Sequence, residues 1–309
     1  MSSKSSQADT SSDMNQRKRR MMSLLTLESR SASKILMGPI VVFLLAITVF
    51  PTLYALYISL HNYQLTDPLG MKFIGLDNYA ALLTDPRFWN ALKTTGIFMG
   101  GSLVLEIVIG FVLALLIAKN FKGSSFVKSV FLLPTITTPV VVGLIWMMLY
   151  DPQFGIINYF LSMFMEPQSW LANESTAIWA LVAVDVWEWS PFVALVLLAG
   201  LQSLPNEPYE AAEVDGASKW EAFLHLTLPL MKPYIIIAVI FRFMDLFRWF
   251  DTIYVMTKGG PGTATETLNM FGYLTGFEFL NMGYAAVIGI VMLITIIVVS
   301  QTIIKRVMI

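Results

Sequence analysis

The chain has 309 residues, 56% of them hydrophobic and only 13% charged, with a mean hydropathy of +0.67. A soluble domain carries about 25% charged residues, so this composition leaves too little polar surface for a water-soluble globule and points to a bilayer. With no cysteine, two histidines and a net charge of −1, the chain offers no disulfide framework, thiol nucleophile or Cys-ligated metal site, and no reason to bind nucleic acid.

Residues 1–34 read as a basic, cytoplasmic tail. Its first 16 residues are Ser-rich and polar enough to stay disordered, and the run Arg17, Lys18, Arg19 and Arg20 suits either anionic headgroups or a plain topology signal. Six stretches then carry the roughly 20 apolar residues that cross about 30 Å of hydrocarbon. They are 35–60, 94–118, 127–149, 177–201, 234–256 and 282–304. Lipid cannot satisfy open backbone groups, so the expectation is an all-α polytopic membrane protein with six transmembrane helices. The first stretch is too long, and too far from the N-terminus, for a cleavable signal peptide. Fourteen Lys or Arg residues fall in the tail, the 119–128 and 202–233 connections and the C-terminus, against four (Lys72, Arg87, Lys93, Lys258) in the other connections. The positive-inside rule places both termini in the cytoplasm.

The second span contains a lone acid, Glu106, which reads as a polar helix-packing group. Pro134 and Pro139 break the pattern of the third span. The fourth carries Asp185, Trp187, Glu188, Trp189 and a kinking Pro191.

The connection at 204–233 is built from its own local signals. Asn206, Glu207 and Pro208 suit the start of a short helix. Gly216 supplies a left-handed stop near Asp215. Ser218 and Glu221 form a capping box for a second helix, which Pro229 is expected to close. Trp220, Phe223, Leu224 and Thr227 share its apolar face. Five acids (Glu207, Glu210, Glu213, Asp215, Glu221) make a lipid-lying role unfavourable beside anionic headgroups, and favour a protein partner instead.

In the fifth span Arg242, Asp245, Arg248 and Asp251 alternate in sign at steps of three, the spacing at which helix neighbours pair. Phe243, Phe247, Trp249, Phe250 and Tyr254 interleave with them. Ionisable groups at this depth are costly and usually functional. Two roles fit: salt bridges that hold helices together, or a path whose polar groups meet hydroxyls and whose rings meet C–H faces. The path candidates are Asp185, Trp187, Glu188, Trp189, Arg242, Asp245, Arg248, Phe250 and Asp251. No nucleophile with an acid/base pair, and no metal-ligand cluster, marks an active site.

The elbow wording, Glu210-Ala211-Ala212, then Gly216, then Leu226-Thr227-Leu228-Pro229 after nine residues, resembles the EAA signature of binding-protein-dependent ABC importer permeases. Leu226 stands where isoleucine is usual. Residues 73–79 (FIGLDNY), Gly259-Gly260-Pro261-Gly262 and Asp215-Gly216-Ala217 resemble the carbohydrate branch, so the likeness runs from residue 35 to the end. It implies the transmembrane subunit of a type I importer: 35–89 as first helix and short outer loop, and 90–309 as the permease domain. The elbow would dock an ATPase through Glu210, Ala211, Ala212, Asp215, Gly216, Leu226, Leu228 and Pro229. The implied partners are a second EAA-type permease, two copies of a cytoplasmic ATPase that binds the ATP and Mg, an extracytoplasmic solute-binding protein and a sugar or oligosaccharide. The implied location is the bacterial plasma membrane. The chain has no G-x-x-x-x-G-K-[ST] loop and so is not itself expected to be an enzyme or to bind a cofactor. A polyol or glycerol phosphate is an alternative solute, and a stand-alone secondary transporter or channel is the alternative class.

Overall fold

The computed structural model describes residues 37–67, 69–118 and 124–307. The basic tail at 1–34 and the loop lysines Lys119 and Lys122 lie outside the described residues. The chain divides at residues 57 and 58 into two compact units. Of the first, the described part is residues 37–57, all but the last two residues of the apolar helix α1 (Met37–Ser59), and nearly all of its side chains are exposed.

The second unit is a helical bundle. A two-stranded antiparallel ribbon, β1 (His61–Asn62) with β2 (Lys72–Phe73), leads to α2 (Asp77–Thr84) and α3 (Pro86–Ala118). The third expected span is not one helix. Ser124–Phe131 (α4), Leu133–Ile136 (α5) and Pro139–Leu149 (α6) are separate pieces, because Pro134 and Pro139 each remove a backbone donor and the chain opens to extended geometry at Thr137 and Thr138. After a short α7 (Ile156–Leu161) comes α8 (Glu174–Gln202), which runs through Pro191 unbroken. Here Ser190 Oγ donates to the Val186 carbonyl at 2.5 Å, and Thr135 Oγ1, from α5, donates to the Glu188 carbonyl at 2.8 Å beside the proline.

The fifth span also differs from expectation. Helix α10 (Lys219–Ala222) passes through one π turn (Phe223–Thr227) directly into α11 (Leu228–Phe247). Pro229 therefore does not close the elbow's second helix. The Leu228 N–H reaches the Phe223 carbonyl five residues back, and this widened turn absorbs the proline that an α-turn would reject. The helix ends at Phe247, and 251–256 form a separate piece, α12 (Asp251–Met256). Helix α13 (Leu268–Tyr273), a second π turn (Leu274–Glu278) and α14 (Met282–Val307) complete the chain. Five helices, α1, α3, α8, α10–α11 and α14, are each long and apolar enough to cross a bilayer.

Helices α3 and α8 pack closely along their length. A side chain on Gly110 would put its Cβ 2.7 Å from Val193 Cγ1 and 3.2 Å from the Ala194 backbone nitrogen, so glycine is what lets these helices touch. At the end of the bundle opposite the 204–233 elbow, the other connections knit together. Arg87 bonds Glu266 through Nε and Nη2 at 2.7 and 2.6 Å. Tyr284 donates to Asp85 at 2.8 Å, and Asn78 Nδ2 reaches the Ser59 and His61 carbonyls at 2.9 Å.

Candidate functional site

Three long helices bring charge to a common depth. Glu106 stands midway along α3, Asp185 midway along α8 and Arg242 in the second half of α11, and none of the three exposes any surface. Arg242 grips Glu106 through Nε and Nη2 at 2.6 and 2.7 Å, and the same Nη2 reaches the two Asp185 oxygens at 3.0 and 3.2 Å. The guanidinium is also capped by the Trp189 ring at 4.7 Å and the Trp249 ring at 5.8 Å. Only its Nη1 lacks a hydrogen-bond partner, at 3.9 Å from Asp245. A planar fork serving two carboxylates is a task for arginine, since lysine's ammonium is a point charge.

This geometry corrects the pairing expected from the step of three. Arg242 pairs across helices with Glu106 and Asp185, and its contact with Asp245 is the weakest of its set. Asp185 and Arg242 lie inside the bundle, not on an open wall. Glu188 is equally buried, and both its carboxylate oxygens are without a hydrogen-bond partner among the described residues. Glu106 is the member the sequence assigned only to packing. A lone acid in an apolar span needs a cation at equal depth, and that was the available signal.

Five other candidates, Trp189, Asp245, Arg248, Phe250 and Asp251, line a cleft of about 360 Å³. Trp249 and Pro139 of α6 complete its lining. It exists because α11 stops at Phe247: the chain turns through Arg248 and Phe250 and so folds Asp251 back toward Asp245. Arg248 bonds Asp245 at 2.9 Å, as the spacing of three predicts. Phe250 stacks on Tyr254 and lies tilted against Tyr273, with ring centres 5.3 and 4.8 Å apart. Trp187 is not part of this cleft. Two residues from Trp189, it points the other way around α8, packs edge-on to Trp146 at 5.6 Å and borders an apolar groove with Phe131 and Pro134.

The elbow is assembled as its local signals require. Helix α9 (Glu207–Val214) ends with Gly216 at φ +78°, where the Ala217 N–H bonds the Ala212 carbonyl at 2.9 Å and the Gly216 N–H bonds Glu213 at 3.1 Å. This is the paired bonding of a Schellman stop. Both halves of the capping box form: the Ser218 N–H donates to Glu221 Oε2 at 2.8 Å, and the Glu221 N–H donates to Ser218 Oγ at 3.3 Å. Asn206 sits at the cap position of α9, but its side chain makes no capping bond, because its backbone is already helical there. Tyr209, unmarked in the sequence, ties the two halves by donating to Thr227 Oγ1 at 3.0 Å. Asp215, Gly216 and Leu226 border an open hollow of about 440 Å³, with Ala212 at its side. Glu210, Ala211, Leu228 and Pro229 are exposed around it.

Comparison with known proteins places this arrangement. The chain is 37% identical to the trehalose/maltose transport system permease protein MalF of Thermococcus litoralis, over 86% of this chain and 89% of that one. It is 36% identical to the sulfoquinovosyl glycerol transport system permease protein SmoG of Agrobacterium fabrum, over 87% of each. Its fold resembles a bacterial ABC transporter involved in the import of the acidic polysaccharide alginate, with a TM-score of 0.77, 21% identity, and coverage of 90% of this chain and 96% of that one. Residues 106–308, from the acid of the buried triad almost to the C-terminus, match the model of one family. The chain belongs to the binding-protein-dependent transport system inner membrane components, the permease subunits of ABC importers, and is a multi-pass membrane protein.

Proposed function

We propose that this permease carries a neutral sugar or oligosaccharide, and that the 204–233 elbow receives a separate ATPase whose cycle drives the carriage. The observation that supports this most is the continuity of the helix from Lys219 to Phe247. At about 1.5 Å per residue, that rod spans about 35 Å from the elbow to Arg242. Force applied at the elbow therefore arrives at the helix whose end forms the cleft. The π turn and Pro229 lie within this helix near the dock, where compliance lets its two ends reorient. A stand-alone carrier has no use for such a dock.

The cleft's charges support a neutral solute. A phosphate or sulfonate needs an unpaired cation, yet Arg248 is held by Asp245 and Arg242 is enclosed by Glu106 and Asp185. The cleft instead offers carboxylates for hydroxyls and the rings of Trp189, Trp249 and Phe250 for C–H faces. In cells lacking this chain, accumulation of a labelled neutral glucoside should be lost and restored by the wild-type copy, while glycerol phosphate accumulation stays at the parental level. Loss of glycerol phosphate uptake alone overturns the neutral-solute reading.

The full assembly on this reading holds a second permease of the same type, two ATPases that bind ATP and Mg, and an extracytoplasmic solute-binding protein. A related alginate transporter has been seen in complex with an alginate pentasaccharide-bound periplasmic protein. Both termini and the elbow face the cytoplasm, and the Arg87–Glu266 end faces outward. An export-dependent reporter fused at Ile309 should be silent and one fused at Glu166 active; the reverse pattern inverts the topology.

A further inference from the structure

The connection from α6 to α8 turns its apolar side chains outward. No residue in 152–165 is charged. Phe154 and Phe164 are 88% and 87% exposed, and Tyr159, Phe160 and Met163 are each more than half exposed. This exposure is built, not loose. Asn158, itself buried, donates to the Asp151 and Gln168 carbonyls at 3.2 and 2.9 Å, and accepts from the Gln168 N–H and the Trp170 indole at 3.1 and 3.0 Å. Asp151 Oδ1 accepts from the Gln153 and Phe154 N–H groups at 2.9 and 2.8 Å. The segment's polar groups are thus satisfied inward, and Ile157 packs on the core.

Its height is set by the chain. Helix α7 starts seven residues after α6 ends at Leu149, and the Asn158–Trp170 bond ties it to the approach of α8, which starts at Glu174. Beneath it Trp146, Tyr150 and Trp170 pack on the core with tilted rings, their centres 5.3 and 6.1 Å apart. The exposed apolar residues Leu144, Ile145 and Met148 of α6 lead up to the same level.

We infer that 154–165 is an interfacial anchor, with its apolar face lying in the headgroup–acyl boundary of the bilayer. A protein that docks there from water and leaves again requires a surface of ordinary polarity, and the face between Asp151 and Glu166 carries no charge. A lipid boundary requires only apolar area with aromatic rings at its edge. The inference rests on the membrane-spanning fold and not on which solute is carried.

Because the chain has no cysteine, single variants Phe154→Cys and Phe164→Cys can be spin-labelled in the complete transporter, reconstituted in vesicles of phosphatidylethanolamine and phosphatidylglycerol. Leu69→Cys, at a loop position 93% exposed, is the water-facing reference. The ratio of collisions with oxygen to collisions with a water-soluble nickel chelate should be about tenfold higher at 154 and 164 than at 69, as expected for side chains held in the interface. A ratio equal to that at 69 means the face meets water. Immobilised labels that neither reagent reaches mean a protein subunit covers it. Either result overturns the inference.

Discussion

Arg242→Met is expected to cost the permease about 3–5 kcal/mol, because it leaves Glu106 and Asp185 as uncompensated charges in a fully buried site. Detergent-solubilised variant should melt well below wild type and be depleted from membranes. Arg242→Lys should fall between, since one ammonium cannot hold Glu106 through two parallel bonds and still reach Asp185. The triple change Glu106→Met, Asp185→Val, Arg242→Met removes every charge of the triad and should recover most of the lost stability, as all-apolar replacement of a buried ion cluster does. Its uptake then separates two roles. Recovery of folding with uptake makes the triad a helix clamp; recovery of folding without uptake makes its charge part of the transport cycle. A wild-type melting temperature for Arg242→Met would defeat the claim that the triad holds α3, α8 and α11 together.

What the sequence disclosed depended on the range of each interaction. The Schellman stop at Gly216 and the capping box at Ser218 and Glu221 are closed by residues within five positions, so they were legible in full. The Arg242–Glu106 bond joins residues 136 apart, and no local pattern could announce it. The nearer Asp245 looked like the partner because only separation along one helix was visible. Prolines show the same divide. Pro134 and Pro139 break the third span, where the surrounding chain is largely exposed and little packing opposes the lost donors. Pro191 is carried through α8, where 67% of the apolar window is buried and Thr135 reaches across to the Glu188 carbonyl. Pro229 is carried by a π turn that no propensity rule anticipates. One local rule thus gave three outcomes, each decided by tertiary packing. The bundle and its charged spans were therefore readable, while the assignment of Asp185 and Arg242 to the interior and of Trp187 to another face required the folded chain.

Gly216→Val should uncouple the transporter while leaving it in the membrane. At φ +78° the glycine is in a region that a β-branched residue enters only as an outlier, at a cost of order 1–3 kcal/mol. No atom lies within 4 Å of where its Cβ would be, so the penalty is one of backbone alone and not of crowding. Relief of that strain would break the two closing bonds, Ala217 to Ala212 and Gly216 to Glu213, and swing Ser218 away from the start of α10. The rod from Lys219 to Phe247 would then no longer stand at a fixed angle to α9. Gly216→Asn is the control, because asparagine tolerates left-handed geometry and should preserve the turn. Glu210→Lys tests the dock by charge instead of backbone, and should weaken it without moving the rod. The measurement is stimulation of ATP hydrolysis by loaded binding protein in reconstituted complexes, with recovery of the ATPase on the purified permease as the assembly check. Loss in the valine variant, retention in the asparagine variant and weakened recovery with Glu210→Lys place coupling in the elbow's geometry and charge. Full stimulation in both the valine and the lysine variants would remove the elbow from the path, and with it the helix that joins Lys219 to Phe247 beside the cleft.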